Sequence, residues 1–289
     1  DFYLFQIDAK KAEYLLSRRD WFDPAKMAEA RPIQLKARDG LPLHGYVTLP
    51  QGGDGKSLPM VVLPHGGPFG VADVWGFDTD AQMLAQAGYA VLQVNFRGSG
   101  GYGRAFQQAG AKQWGLKMQD DVTDATRWAI QSGIADPNRI CIYGASYGAY
   151  AALTGVAKEP DLYKCAVGYV GVYDLPMMHT RGDIQTGRSG EAYVREWIGE
   201  RNEVAAVSPT NMAERIKVPV FLAAGGQDER APIAHSELIE SRLKAAGVPV
   251  ETLYYKTEGH GFYTEKHQLE YYTKLLDFFS RHIGGAKAK

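Results

Sequence analysis

Hydrophobic and polar positions follow two different rhythms along the chain. In the first fifty residues apolar positions alternate with polar ones in short stretches. Segments 2–7 and 13–17 flank the polar turn Asp8-Ala9-Lys10-Lys11 and predict a two-stranded hairpin with no sheet of its own to join. Asp23-Pro24 predicts the start of a short helix ending near Ala30. Segments 33–38 and 43–49 flank Asp39-Gly40 and predict a second hairpin.

From Met60 onward the rhythm changes to short, unbroken apolar runs separated by longer amphipathic ones. Runs 60–63, 90–94, 140–143, 165–170, 218–223 and 250–255 are rich in β-branched residues, as strands covered on both faces must be. Segments 79–87, 120–132, 147–157, 233–246 and 268–282 predict helices between and after them. In 120–132, Val122, Ala125, Thr126, Ala129 and Ile130 recur at helical spacing and give one stripe to lay against a sheet. Strand and helix alternate, so the expected fold is α/β, with a mostly parallel eight-stranded sheet and helices on both faces. The longest irregular stretch, 177–206, predicts a small helix around 191–198 lying over the strand ends. No internal repeat or low-complexity segment interrupts this order.

Composition narrows the reading further. The 289 residues are 45% hydrophobic, enough for one substantial core, and the formal net charge is −1 with Lys and Arg dispersed. That distribution gives no footprint for nucleic acid or for an anionic membrane surface. No run approaches the roughly 18 apolar residues of a membrane span, and no signal peptide is visible. The start at Asp1 rather than Met leaves room for an upstream segment. The two cysteines, Cys141 and Cys165, each sit inside an apolar run and read as buried thiols rather than as a disulfide or a metal site. No metal or cofactor is expected.

Chemistry concentrates where strand 140–143 meets helix 147–157. The turn between them is Gly144-Ala145-Ser146-Tyr147-Gly148, a Gly-x-Ser-x-Gly. Such a turn needs glycine two places either side of the serine, because bulk there would strike the neighbouring strand and helix while the serine is held strained and exposed. The following helix points free N–H groups at the site, which favours a developing oxyanion. A serine hydroxyl requires a base, and the base an orienting carboxylate. On scaffolds of this kind the order is Ser, acid, His, each on a loop after a strand. Of seven histidines, His260 alone follows a late strand between glycines, in Gly259-His260-Gly261. His44, His65, His179, His235, His267 and His282 fall in strands, helices or other loops. For the acid, Asp228 stands just after strand 218–223, with Glu229 and Asp174 as competitors. The amide of Tyr147 supplies one oxyanion donor, and the loop Pro64-His65-Gly66-Gly67-Pro68 is placed to supply the second.

Taken together, His65-Gly66-Gly67-Pro68, the run from Asn95 to Gly103, Gly144 to Gly148 and Gly259-His260-Gly261 resemble the catalytic domain of the prolyl oligopeptidase family of serine peptidases. The likeness is closest to its acylaminoacyl-peptidase and dipeptidyl-peptidase-like branch and covers about residues 33–283. It implies an α/β-hydrolase fold, a catalytic triad of Ser146, Asp228 and His260, an oxyanion hole from the amides of Gly67 and Tyr147, and short peptides as substrates. Family members usually carry an N-terminal β-propeller. By that resemblance residues 1–30 are expected to be a remnant or linker of an absent propeller, and 31–289 the catalytic domain. Two departures stand out. Small residues, Ala145 and Ala149, occupy the turn, and the acid loop reads Asp228-Glu229-Arg230-Ala231-Pro232, with a charged pair where the family commonly has an apolar one.

Competing readings remain at this level. Gly98-Ser99-Gly100-Gly101-Tyr102-Gly103 is a literal Gly-x-Gly-x-x-Gly, as in dinucleotide-binding oxidoreductases, yet it does not follow the first strand of a βαβ unit. A carboxylesterase would share triad and fold. A non-catalytic binding module is the third reading, and a complete triad argues against it. Val172 and Tyr173, with Met177 and Met178, are candidates for the substrate pocket, although Tyr173 suits core packing equally. Trp197 and Arg188 are undecided. A homo-oligomer formed through an apolar patch is a further expectation.

Overall fold

The computed structural model describes every residue except Arg19, Trp21, Phe22, Gly53 and residues 286–289. Strands β1 (Phe2–Gln6) and β2 (Lys11–Leu16) pair antiparallel as a sheet of two. Phe2, Leu4, Phe5, Ile7 and Leu15 of this hairpin are exposed. The helix expected after Asp23 is only a 3₁₀ turn, Pro24–Lys26, in which the Asp23 carboxylate accepts the amide of Ala25. It goes no further because Ala28 gives both its N–H and its C=O to the side chain of Gln82, at 2.9 Å each, and the chain there is already extended.

The main sheet comprises β3 (Ala30–Lys36), β4 (Pro42–Thr48), β5 (Leu58–Val62), β6 (Ala90–Asn95), β7 (Ala135–Ala145), β8 (Cys165–Tyr169), β9 (Val220–Gly225) and β10 (Val250–Tyr255). Their spatial order is β10-β9-β8-β7-β5-β6-β4-β3. β3, β4 and β6 pair antiparallel in sequence, and every other neighbouring pair is parallel. β7 is longer than the apolar run 140–143 because Ala135 already pairs with Leu58 of β5.

Helices α1 (Thr79–Gln86), α2 (Arg104–Gln108), α3 (Lys117–Gln131), α4 (Tyr147–Lys158), α5 (Arg188–Tyr193), α6 (Ala234–Ala245) and α7 (Glu265–Ile283) complete the chain. Alternate residues of each buried strand face opposite layers, as the two-residue period requires. Met60, Val62, Ile140 and Ile142 pack toward α3, α4 and α6. Val61, Cys141 and Tyr143 pack toward α1 and α7. On α7, Tyr271, Leu275, Phe278 and Phe279 lie on one face and are fully buried. Each apolar side chain of that size contributes roughly 1.5–3 kcal/mol by burial, which fixes the helix that follows the His260 loop. No helix among the described residues is long and apolar enough to cross a membrane.

The reading of Cys141 and Cys165 as free thiols is corrected. Their sulfurs are bonded, with Cα atoms 4.8 Å apart. The two residues are register partners on the adjacent parallel strands β7 and β8, which brings their Cβ atoms within reach of one another.

The chain runs from β5 to β6 on one side and then returns to place β7 on the other. The strand order therefore reverses at β5 and β7, where an open α/β sheet leaves a crevice beyond the carboxyl ends of its strands.

Candidate active site

That crevice holds the serine turn. Ser146 adopts φ +57° and ψ −119°, an arrangement costing on the order of 1–3 kcal/mol for a residue with a side chain. The surroundings impose it: a Cβ at Gly144 would lie 2.4 Å from the Gly148 carbonyl carbon, and one at Gly148 only 2.2 Å from the Pro64 oxygen. The Ser146 amide donates to the Tyr169 carbonyl at 2.9 Å, and its own carbonyl receives Ala149 and Tyr150, so the main chain is held on both sides.

Beyond β5, the loop from Pro64 to Phe69 faces this turn. His65 is stacked on Phe96 at 4.4 Å, and burial pushes its imidazole down to about 4, so the ring is neutral at physiological pH. Its Nδ1 faces the Gly66 carbonyl at 2.7 Å and must donate, which leaves Nε2 to accept from the Ser99 hydroxyl at 2.8 Å. His65 is thereby a brace rather than a base. The glycine-rich run after β6 serves the same loop. Gly70 donates to the Gly98 carbonyl, Gly100 donates to that of Val71, and a Cβ on Gly100 would fall 2.3 Å from the Gly70 oxygen. These glycines permit loop-on-loop contact, which is the physical alternative to a phosphate cradle. Within the described residues neither the Gly67 nor the Tyr147 amide has a hydrogen-bond partner.

Asp228 and His260 come together as well. Asp228 Oδ2 lies 2.8 Å from His260 Nδ1, while Oδ1 accepts the amides of Arg230 at 2.9 Å and Ala231 at 2.8 Å. The carboxylate is wholly buried, and the imidazole is 31% exposed, enough for its other nitrogen to meet a ligand. Of the competitors, Glu229 is exposed. Asp174 caps a 3₁₀ turn by accepting from Met177 and also receives the Thr210 hydroxyl, with no contact to His260. His235 is buried; its Nδ1 accepts from the amides of Tyr173 and Asp174, and desolvation pushes it down to about 4.

Ser146, His260, Gly67 and Tyr147 line one cavity of about 450 Å³, whose other walls include Trp114, Val172, Met178, Ile184, Tyr193 and Arg230. Val172 is in this wall. Tyr173 is not: it is fully buried, and its ring packs over Gly168 and Gly171. Trp114, Ile184 and Tyr193 escaped the sequence reading because they come from turns and the short helix α5, folded over the strand ends. An aromatic beside glycine, Trp114-Gly115, was the only trace. Trp197 lies outside that wall, against Phe69 at 4.7 Å. Of the charged pair in the acid loop, Glu229 is exposed while Arg230 borders the cavity. Arg230 grips Asp183 at 2.7 and 3.0 Å, holding that carboxyl below its usual range, and Asp183 donates its amide to the Glu229 carbonyl.

A larger cavity of about 710 Å³, lined by Met27, Pro32, Trp75 and Phe77 among others, shares no residue with this one, and Glu29, the ionisable side chain among its described lining residues, is engaged by Arg31 at 3.0 Å. No cluster of His, Cys, Asp and Glu among the described residues could hold a metal ion. A serine hydroxyl, an imidazole hydrogen-bonded to a buried carboxylate, and two unengaged amides around one cavity match in kind the parts that acyl transfer requires.

Comparison with known proteins bears on this geometry. Dipeptidyl aminopeptidase BIII of Pseudoxanthomonas mexicana is 33% identical over 98% of this chain, which covers 43% of that protein. The acylamino-acid-releasing enzyme of Mus musculus is 27% identical over 80% of the chain and 32% of its own length. An acylaminoacyl peptidase structure from Pyrococcus horikoshii superimposes with a TM-score of 0.85 and 26% identity, covering 96% of this chain and 46% of that one. The chain thus spans less than half the length of these relatives. The profile of the prolyl oligopeptidase family matches residues 75–286, a segment that contains Ser146, Asp228 and His260 together with strands β6 to β10, and the chain belongs to that family.

Proposed function

We propose that this chain is the catalytic part of a serine peptidase that cleaves short peptides by acyl transfer. The observation that carries the reading is the Asp228–His260 hydrogen bond at 2.8 Å beside a cavity shared by His260, Ser146 and the free amides of Gly67 and Tyr147. Asp228 fixes the Nδ1–H tautomer, leaving Nε2 to take the proton from Ser146 Oγ as it attacks the scissile carbonyl. Negative charge collects on the carbonyl oxygen, where the two amides and the α4 N-terminus await it. His260 then passes the proton to the departing amine, and water releases the acyl group by the reverse sequence.

The same cavity supports an apolar preference at the residue whose carbonyl is attacked. Trp114, Tyr147, Val172, Met178, Ile184 and Tyr193 offer carbon surface, and Arg230, the Lys or Arg among the described wall residues, is already engaged by Asp183. A charged side chain would enter it without a partner and carry its full desolvation cost. Residues 31–289 would form the catalytic domain, and the 1–30 segment its connection to a further sheet.

The test is direct. A fluorophosphonate should add one adduct, at Ser146, and aminoacyl anilides with Phe, Leu or Met should turn over while Asp or Lys analogues do not. Labelling elsewhere, or turnover confined to esters with no anilide cleavage, would replace the reading with another hydrolase.

A further inference from the structure

Tyr169 ends β8, beside both partners of the proposed chemistry. In the sheet it is the register partner of Ala145, next to Ser146, and of Ala223 on β9, the strand leading to Asp228. Its carbonyl receives the Ser146 amide at 2.9 Å. Its side chain turns the other way: the hydroxyl accepts the amide of Phe262, two residues beyond His260. The ring is clamped between Tyr271 of α7, stacked at 4.5 Å, and Phe262, edge-on at 5.0 Å. Burial raises the phenol's pKa, so the group stays neutral across the physiological range.

The rest of the histidine loop is tied to itself or to its immediate surroundings. Glu258 accepts the amides of Tyr263 and Thr264, Gln268 donates to the Phe262 carbonyl, and the Glu258 carbonyl receives Gln227 of the acid loop. Among the described residues, the Tyr169–Phe262 hydrogen bond is the only one joining residues 259–264 to the strand that anchors the serine turn. Gly261, at φ +135°, lies between that anchor and His260 and offers no stiffness of its own.

We infer that Tyr169 is a positioning residue for His260: one residue anchors the Ser146 amide by its main chain and the His260 loop by its hydroxyl, and so sets the separation between nucleophile and base. The inference rests on the acyl-transfer reading above. It separates cleanly from core packing, because Tyr169→Phe keeps the ring stack and the Ser146 anchor while releasing only the histidine side.

The experiment measures kcat and KM on a Phe anilide, the second-order rate of fluorophosphonate labelling, and the melting temperature, for the wild type, Tyr169→Phe, His260→Ala and the double variant. Misplacing a reacting group by about 1 Å costs about a hundredfold, so Tyr169→Phe should lower kcat and the labelling rate together by roughly 10- to 100-fold, with KM held within about twofold. In the His260→Ala background the same substitution should be silent, since it acts through the imidazole. A kcat within about twofold of wild type, a loss that persists undiminished without His260, or a variant that fails to fold would each overturn the proposal. If Ser146→Ala itself retained turnover, the acyl-transfer reading would fall, whatever Tyr169 does.

Discussion

Asp228→Asn tests the site most sharply, because the structure dictates how the new amide must sit. Asp228 Oδ1 accepts two main-chain N–H groups, from Arg230 and Ala231, at 2.9 and 2.8 Å. An asparagine can satisfy both only with its carbonyl oxygen there, which turns its NH₂ toward His260 Nδ1. That nitrogen must then accept, so the proton moves to Nε2 and faces Ser146, where a base is needed. The wrong tautomer should lower kcat by about 10⁴, equivalent to about 5.4 kcal/mol of transition-state stabilisation. Stability should fall by only roughly 1–2 kcal/mol, the difference between a charged and a neutral acceptor in the same hydrogen bonds. Asp174→Asn is the control: asparagine caps Met177 as well as aspartate does and only the bond from Thr210 is altered, so stability should change by less than about 1 kcal/mol and kcat stay nearly unchanged. Steady-state turnover of a Phe anilide beside thermal melts reads both quantities. A kcat for Asp228→Asn within about tenfold of wild type, or a larger loss for Asp174→Asn, would refute the assignment.

Three further outcomes are expected. Ser146→Ala should lower kcat by about 10⁶ with an unchanged melting temperature, and Ser146→Gly should melt higher than the alanine variant, since only glycine is at ease at φ +57°; equal melting would remove the strain argument. Hydrogen bonds from Thr264, working against burial, and then from Tyr263 and His267 hold the Glu258 carboxyl down at about 2 against an ordinary 4.5; its stabilising share is present above 4.5 and lost as pH falls toward 2, so Glu258→Gln should flatten the acid side of the stability curve, and an unaltered curve would contradict the hydrogen bonding. Cys141→Ala/Cys165→Ala should lose about 3 kcal/mol in urea unfolding relative to the oxidised chain, from the 24-residue separation that the bond closes; identical midpoints for both forms would show that the bond contributes nothing.

Legibility in the sequence followed the range of the forces involved. The serine turn was readable because a glycine two places either side of a serine, between a strand and a helix, is a local pattern, even though the demand on Gly148 comes from Pro64, far off in sequence. Asp228 and His260 were readable because a strand ending in a glycine-flanked loop announces where a side chain is presented. What depends on neighbours in space was not readable. Cys141 and Cys165 look like two thiols in apolar runs until β7 and β8 are known to lie side by side in register. The cavity wall escaped for the same reason, since Trp114, Ile184 and Tyr193 carry no periodic pattern and meet only when their segments fold over the sheet. Tyr173, singled out for its place after β8, turned inward because Gly168 and Gly171 leave room for its ring. Asp23-Pro24 is a sound helix start with no helix behind it, because Gln82, fifty-four residues on, claims the main chain of Ala28.

The cystine has a use beyond stability. The chain has two cysteines, and both are spent in one buried bond, so the folded protein presents no thiol to a reagent in solution. Maleimide and disulfide-exchange chemistry are therefore silent on it. A single cysteine placed at Glu229, exposed on the acid loop and adjacent to Asp228, would be the one site such reagents find. A fluorophore attached there would sit at the margin of the cavity shared by Ser146 and His260 and report its occupancy optically, in a protein whose native sulfur chemistry contributes no background.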